Sequence, residues 1–458
     1  MTTIGLVRVT IAAPQRRIDL ALPERAPVAE LLPALLRHAG ERLADEGVPD
    51  GGWVLRRADG TAVDPGRTFA TNRVRDGEVL HLVPHRMSWP DLEYDDLVDA
   101  IARGAGRVGQ LWGPRHTRLA GLAGAVVAML VAVVAVLHAG PPWPGWAALV
   151  LAAVLLAAGT AVSRAVGDAR AGAVLAGLAL PHAFTGGALL LGDRLPLSGL
   201  GAPHLLGGCA LLLLAAVLGH LGVVDGAALF VGAATLALLV GPATWAVHVE
   251  LVDPTGAAAV LATAVLLFSP LLGPLAIRLG RVPMPVLPRT AADLVRDEPQ
   301  PPRRAVYAAV LRADGLLTGM LWGAALAAVL AQAVLAARAG TAVTVLLVVL
   351  TLGFGVRARL YPALRQRLPV LLAGLAGATG LAVGPLLAGS ARLVGTVLPV
   401  LLLAAALAVL AGLVHSRRTP SPVLGRYAEL AETLLVLACV PVLCAVLRLY
   451  GLVRGLGG

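Results

Sequence analysis

The sequence contains no lysine, and arginine supplies all 37 of its basic residues other than histidine. Cysteine is also scarce, because only Cys209, Cys439 and Cys444 occur, each within an apolar stretch and without the spacing of metal ligands. Buried thiols of this kind usually behave as small hydrophobic groups. We therefore expect no disulfide framework, no metal site and no cofactor. The missing lysine also excludes a P-loop of the form Gly-x-x-x-x-Gly-Lys-Ser/Thr.

Charged residues make up only 14% of the chain, whereas hydrophobic residues make up 58% and the mean hydropathy is +0.82. Eleven apolar stretches follow one another, each near the length of about 20 residues that crosses a hydrocarbon core as a helix. The sequence therefore predicts a polytopic membrane protein. Its predicted spans are 119–138, 144–162, 171–191, 202–221, 226–247, 256–277, 314–337, 341–356, 369–387, 393–414 and 430–449.

Ionisable side chains are nearly absent from these spans, and no Asp, Glu or Arg lies at a predicted midplane. Because such residues usually mark ion or substrate paths, an ion-coupled transporter lacks its usual machinery here. His182 is the main exception, and we interpret it as a hydrogen-bonded structural histidine at the turn loosened by Pro181. Glu250 and Asp253 form a weak candidate for lipid-modifying chemistry, since two carboxylates without a histidine or basic clamp are usually solvated loop charges.

The arginines are distributed unequally between the two sides of the predicted bundle. Twenty fall near span ends on the side of the N-terminus and five on the other side. Cytoplasmic loops keep positive charge, so this bias predicts a cytosolic N-terminus and, with an odd number of spans, a C-terminus outside. Residues 1–30 are amphipathic, so we expect no secretory signal peptide before the first span. The net charge of +10 then faces anionic lipid headgroups, and nucleic-acid binding is not expected.

Residues 1–84 have the pattern of a small soluble domain. Apolar and polar residues alternate around Val9 and Leu20, as in half-buried strands, and an amphipathic helix follows around Leu32. Turn signals at Asp59-Gly60 and Asp76-Gly77 delimit two further strands. This order resembles the ubiquitin-like β-grasp fold. The expected fold class is an N-terminal α+β ubiquitin-like β-grasp domain followed by an all-α polytopic bundle of eleven transmembrane helices, residues 119–458.

Residues 85–118 form a predicted connector between the two parts. Its apolar stripe at helical spacing consists of Tyr94, Leu97, Val98 and Ile101, opposite the acidic residues Asp95, Asp96 and Asp99. This apolar stripe must pack against another surface, either that of the chain's own N-terminal domain or that of a partner protein. The acidic face is unsuited to anionic lipid. Beyond the acidic residues the connector becomes basic. Trp112 and several arginines there are typical of a juxtamembrane anchor.

Two spans carry rows of glycine that let helices approach closely. The first row is Gly315, Gly319 and Gly323, and the second is Gly374, Gly377, Gly380 and Gly384. Internal packing and packing against another subunit both explain these rows. The cytosolic loop 278–313 divides the spans into six and five, and no sequence repeat relates the halves, so an inverted-repeat transporter has no support.

The whole chain resembles the EccD family of integral membrane subunits in actinobacterial type VII (ESX) secretion systems. The resemblance depends mainly on the front of the chain, namely on the segments 17–23, 28–33, 52–56, 75–78 and 94–101. Membership in this family implies a non-catalytic, structural role. It also implies pairing with a second copy around a lipid-filled vestibule, in a complex with EccB, EccE and the FtsK/SpoIIIE-type ATPase EccC in the bacterial inner membrane.

In that family the ubiquitin-like head and the connector contact the ATPase, so the resemblance implies that the stripe around Leu97 is part of such an interface. Two other functions remain open at this point. One is a secondary transporter of a solute or lipid-linked precursor whose head is regulatory. The other is a polytopic lipid-modifying enzyme that uses Glu250 or Asp253.

Overall fold

A computed structural model of the chain describes residues 5–14, 16–40, 43, 51–85, 112–192, 195–284, 302–338, 340–387 and 422–451, together with separate positions between 395 and 413. The chain divides into two compact units, Met1–Trp112 and Gly113–Gly458. The connector residues Tyr94 to Ile101 lie outside the described residues, so the predicted interface there stays a prediction.

The first unit contains one four-stranded mixed sheet and one helix. Its elements are β1 (Leu6–Ala12), β2 (Arg17–Pro23), α1 (Val28–Ala39), β3 (Trp53–Arg57) and β4 (Glu78–Pro84). The strand order is β2-β1-β4-β3, with β1 parallel to β4 and both outer pairs antiparallel. The predicted order of strand, strand, helix, strand and strand is therefore confirmed. A parallel central pair flanked by two antiparallel pairs is the β-grasp arrangement.

The alternation in β1 explains which face of the sheet is covered. Val7, Val9 and Ile11 are at most 3% exposed, and they join Leu35 of α1 in one core. Phe69, from the irregular segment between β3 and β4, is completely buried in the same core. Sequence periodicity did not predict this last contribution, because the segment has no repeating pattern.

Two polar contacts secure the ends of β3. The Trp53 indole Nε1 donates to the Leu43 carbonyl at 2.6 Å, which gives this buried ring its hydrogen bond. At the other end, the Thr61 side chain and backbone N–H donate to the Asp59 carboxylate and hold its pKa below the usual value. The turn at Asp59-Gly60 is thus stabilised in two ways, by the hydrogen bonds of the Asp59 side chain and by a glycine with φ of 85°.

The second unit is a helical bundle. Its described helices are α2 (Pro114–His138), α3 (Gly145–Ala161), α4 (Ala169–Leu190), α5 (Ala202–Gly222), α6 (Ala227–His248), α7 (Pro254–Phe268), α8 (Leu272–Leu279), α9 (Arg303–Ala336), α10 (Thr341–Arg357), α11 (Leu364–Leu387) and α12 (Pro422–Val446). Helices α7 and α8 are joined by the short turn Ser269–Leu271 and together make one span.

Ten helices among the described residues are long and apolar enough to cross a membrane, against eleven predicted spans. The difference is the predicted span 393–414, of which the structure describes only separate positions, all of them helical, so no continuous helix can be counted there. The shortest prediction, 341–356, is a helix over Thr341–Arg357 that a turn extends to Leu360. The supported count is therefore ten.

Four helices begin at least five residues earlier than hydropathy predicts. They begin at Pro114, Arg303, Leu364 and Pro422, where the spans were expected from 119, 314, 369 and 430. Arginine, alanine and leucine are good helix formers, so a helix continues past the apolar stretch until a proline or glycine stops it. Pro302 immediately precedes Arg303. The last residues of the predicted cytosolic loop 278–313 are consequently helical.

The bundle has two packed cores. One core combines α3 to α6 around Ala176, Ala179 and Phe230, all at most 1% exposed. The other combines α7 and α9 to α12 around Leu266, Leu346 and Cys439, which are completely buried. Alanine dominates both cores, so backbones lie close together, as expected where dispersion replaces the hydrophobic effect between helices.

Candidate functional site

An open apolar groove of about 1800 Å³ runs along the bundle between the two cores. Its lining comes from α4, α5, α6, α7, α9 and α11, and it includes Phe184, Leu205, Leu236, Trp322 and Leu372. The groove therefore lies between residues that the predicted cytosolic loop 278–313 separates in sequence. A surface of this composition suits acyl chains or apolar helices.

The few hydroxyl groups in the lining are already satisfied. Thr244, Thr318 and Thr379 donate to the carbonyls of Gly241, Asp314 and Leu375, each at 2.8 Å. No charged side chain is among the residues that line the groove in the described part of the bundle. A charged or strongly hydrated solute would thus find no counter-charge and few hydrogen-bond partners there, which argues against a solute pathway.

Glycines hold α9 against α6 at the base of the groove. A Cβ placed on Gly319 would lie 3.0 Å from the Cβ of Val231, and one on Gly323 would lie 2.8 Å from the Cβ of Thr235 and overlap the Gly232 carbonyl. Gly315 differs, since a Cβ there would meet nothing within 4 Å. The structure thus places two members of the first glycine row in an internal contact and leaves the third without one.

The second glycine row brings α11 against α9 and α10. The Gln332 amide donates to the Ala328 and Ala373 carbonyls at 3.2 and 3.0 Å, which links α9 to α11. A Cβ at Gly377 would occupy the place of the Gln332 and Thr351 side-chain oxygens. Close contacts at Gly374 (to Gly355 N, 3.2 Å), Gly380 (to Ala336 Cβ, 2.9 Å) and Gly384 (to Ala336 O, 2.7 Å) continue the row. These glycines position one wall of the groove.

Several arginines at the arginine-rich end join helices to one another. Arg118 of α2 contacts both carboxylate oxygens of Asp168 at 2.5 Å, while Asp168 also caps α4 through the Ala171 N–H. Arg164 donates to the last carbonyls of α5, those of Leu221 and Gly222, at 2.7 Å. The arginines whose unequal distribution predicts the orientation therefore also connect neighbouring helices on this side of the bundle.

A proline-broken helix is repaired from a neighbouring span. Pro270 has no N–H, so the Leu266 carbonyl four residues earlier loses its helical partner. That carbonyl instead accepts from the Ser269 hydroxyl at 3.0 Å and from Arg357 Nη2 at 3.3 Å. Tyr361 donates to the Ser269 carbonyl at 3.3 Å. Backbone groups at membrane depth need such partners, so these side chains stabilise the break between α7 and α8.

Glu432 of α12 pairs with two arginines from the end of α10. Its Oε1 lies 2.8 Å from Arg357 Nη1, and its Oε2 lies 2.8 Å from Arg359 Nη2. The three side chains are 14%, 7% and 26% exposed, in the order Glu432, Arg357 and Arg359. We call them the Glu432 cluster. The sequence analysis did not single out Glu432, although it is the third residue of the predicted span 430–449. Its position inside that span was the available signal.

The remaining candidates have local structural roles. His182 is completely buried, and its Nδ1 donates to the Leu178 carbonyl at 2.8 Å. Asp253 caps α7 through the N–H groups of Thr255 and Gly256. Glu250 follows the end of α6 with φ of 56°. In the described part of the chain no group of three or more His, Cys, Asp or Glu side chains is placed to hold a metal ion.

Together, the β-grasp unit and the apolar, multi-helix unit define a polytopic membrane protein with an N-terminal ubiquitin-like domain. A family model described as the EccD-like transmembrane domain matches residues 117–456. A second model, described as protein YukD of the WXG100 protein secretion system (Wss), matches residues 6–82. Because the first match covers most of the chain, the chain belongs to the EccD family, as its sequence resemblance predicts.

Known relatives agree with this assignment. The chain is 32% identical over 117 residues to the ESX-4 secretion system protein eccD4 of Mycobacterium tuberculosis, in strains H37Rv and CDC 1551. That match covers 26% of this chain and spans only a quarter of the relative's length.

Two solved structures share the fold. Protomer 1 of the ESX-3 core complex matches with a TM-score of 0.61 and 21% identity, over 98% of this chain and 100% of that one. A chain of the MycP5-free ESX-5 inner membrane complex, State II, matches with a TM-score of 0.56 and 20% identity, over 89% of this chain and 99% of that one. At these identities the likeness concerns the fold.

Proposed function

We propose that this protein is a non-catalytic structural membrane subunit of a type VII protein secretion complex. The observation that carries the proposal is the match over nearly the whole chain to a protomer of the ESX-3 core complex, head and bundle included. Membership in the EccD family and the relationship to an ESX-4 protein point the same way.

The groove suits a scaffold better than a transporter. Its lining offers mainly apolar surface, without charged side chains and with threonine hydroxyls that already donate to backbone carbonyls, which is a poor environment for an ion or a polar solute. We propose that a second copy faces this bundle and that the two enclose a lipid-filled vestibule. Energy for export then comes from a partner, the EccC-type FtsK/SpoIIIE ATPase.

The head and connector are the proposed docking elements for that ATPase. In this arrangement the N-terminus lies in the cytosol, the C-terminus lies outside the inner membrane, and EccB and EccE complete the complex. The excess of arginine on one side of the bundle supports this orientation. The stripe Tyr94, Leu97, Val98 and Ile101, with Asp95, Asp96 and Asp99, is the proposed contact surface.

Deleting the gene tests the role in secretion. Export of the small helical WXG-type substrates should stop in the deletion strain and return when the wild-type chain is supplied. Purification of the tagged protein in mild detergent should recover the ATPase and the other membrane subunits. Continued export in the deletion strain, or gradient-driven solute flux into proteoliposomes that contain this chain alone, would contradict the proposal.

A pair of charged substitutions tests the docking surface. Leu97→Asp and Val98→Asp together should abolish co-purification of the ATPase, because carboxylates would be placed in an apolar contact. Val166→Asp, which places a carboxylate on an exposed position of the bundle outside the head and connector, is the matched control and should leave co-purification intact. Equal recovery of the ATPase with the double variant would show that the stripe contacts something else.

A further inference from the structure

The Glu432 cluster holds more positive than negative charge. Arg357 and Arg359 share the single carboxylate of Glu432, and their other hydrogen bonds go to the uncharged carbonyls of Leu266 and Gly425. The ion pairs Arg118–Asp168 and Arg57–Glu78 each join one arginine to one acid. Within the described residues, the Glu432 cluster thus retains one uncompensated positive charge.

Burial makes this imbalance unfavourable for the protein alone. The Arg357 side chain is 7% exposed, and the Nε atoms of Arg357 and Arg359 have no hydrogen-bond partner within the described residues. An uncompensated cation away from water is destabilising unless an anion or additional acceptors approach it. The cluster therefore needs a negatively charged acceptor.

The location of the cluster indicates where that acceptor comes from. Arg359 is the more exposed arginine, at 26%, and it follows α10 at the arginine-rich end of the bundle. Leu360 beside it is 47% exposed, and Tyr427 in the second turn of α12 is 66% exposed, as expected for side chains at the edge of a lipid bilayer. The open side of the cluster thus faces the zone of lipid headgroups.

The neighbouring charges do not cancel the excess. Arg426 and Glu429 are both exposed on α12, and within the described residues the only acidic side chain paired with Arg357 and Arg359 is Glu432. A phosphodiester carries one negative charge and presents oxygens that match the fork of a guanidinium group. Its charge equals the excess of the cluster.

We infer that the Glu432 cluster is a binding site for the phosphate group of an anionic lipid, reached through Arg359. The phosphate of a zwitterionic lipid fits less well, because its own ammonium group already neutralises it. The site lies at one end of the last described span and is separate from the apolar groove. This inference is independent of the proposed role in secretion.

The test compares the full-length protein in two kinds of nanodisc, one of phosphatidylcholine alone and one that also contains phosphatidylglycerol. The wild-type melting temperature should be higher by a few degrees, about 2–4 °C, in the discs with phosphatidylglycerol. Arg359→Gln, which brings the cluster to neutrality, should remove this difference. Arg359→Lys, which keeps the charge, should retain part of it. Native mass spectrometry should show about tenfold weaker retention of phosphatidylglycerol for Arg359→Gln.

Arg365→Gln is the matched control, because Arg365 lies at the same end of the bundle and pairs one-to-one with Asp314. It should keep the full lipid-dependent shift. Equal losses for Arg359→Gln and Arg365→Gln would indicate a general surface-charge effect and overturn the inference. An equal drop for Arg359→Gln in both discs, with the lipid-dependent difference preserved, would also overturn it. Inorganic phosphate added to phosphatidylcholine discs should cause no shift; a full shift would assign the site to soluble phosphate instead of lipid.

Discussion

Gly323 shows at the scale of single residues why some glycines of this bundle are irreplaceable. Its missing Cβ leaves space for the Gly232 carbonyl and the Thr235 side chain of the facing helix. Neither obstacle is the end of a flexible side chain. The sequence alone predicts the same packing role for Gly315, because both glycines belong to one repeating row. In the structure, however, a Cβ at Gly315 would meet no atom within 4 Å.

Alanine substitutions should separate these two glycines. Gly323→Ala should lower the unfolding free energy by about 1–3 kcal/mol or more, because α9 and α6 must move apart to admit the methyl group. Gly315→Ala should have no destabilising effect, since the site is open and alanine favours the helix. Thermal unfolding of the purified protein in detergent measures both. Equal effects of the two variants would refute the assigned packing.

Removing the Glu432 carboxylate, which two arginines share, should destabilise the protein more than removing an exposed carboxylate. Glu432→Gln leaves two arginines without a counter-charge and should cost about 3–5 kcal/mol, the range for breaking a buried pair. Glu429→Gln, three residues earlier on an exposed position, should stay within about 0.5 kcal/mol of wild type. Chemical or thermal unfolding in the same detergent compares them, and similar stabilities would show that the pair contributes little.

At the scale of elements, helices in this bundle are tied together where they begin and end. The C-terminus of α5 is capped by Arg164, the break after α7 by Arg357, and the start of α4 by Asp168. Hydropathy located these helices within a few residues but could not place their ends, because arginine and alanine extend a helix beyond the apolar region. Arg164 and Arg357 come from other parts of the bundle, whereas Asp168 is the residue directly before α4.

Asp168 combines two of these roles, and its variants should distinguish them. Asp168→Asn keeps an oxygen for the Ala171 N–H and loses only the ion pair with Arg118, so it should destabilise by less than about 1 kcal/mol. Asp168→Ala also removes the cap and should be less stable than the Asn variant by about 1 kcal/mol. Unfolding midpoints of the two variants give the comparison. Identical midpoints would mean that the cap is unimportant for α4.

At the scale of the whole molecule, the arginine bias predicts an orientation that labelling can test. Glu250→Cys, between α6 and α7, should react with a membrane-impermeant maleimide in intact cells. Arg367→Cys, in the first turn of α11, should react only after the membrane is permeabilised. The wild-type chain is the control, because Cys209 and Cys439 are buried and Cys444 is partly buried. The reverse labelling pattern would invert the orientation.

The apolar groove also belongs to this largest scale. It forms where two cores meet along α9, and the glycine contacts of α9 with α6 and of α11 with α9 set its walls. No local pattern marks the groove, since its lining residues look like any other lipid-facing leucine or alanine in the sequence.

The sequence by itself determined the two-part architecture of this protein. Run lengths of about 20 apolar residues are sufficient to define spans, because a backbone in lipid must form its own hydrogen bonds, and strict alternation defines half-buried strands in the same way. The resemblance carried by the head and connector segments correctly identified the family.

Only the tertiary structure decided which of these local features meet. It selected Gly319 and Gly323 over Gly315, placed Phe69 in the head core, and brought Glu432 to two arginines about 75 residues earlier in the chain. The physical reason is that close packing and charge pairing depend on distances between helices, and a periodic sequence pattern specifies only which face of each helix is apolar.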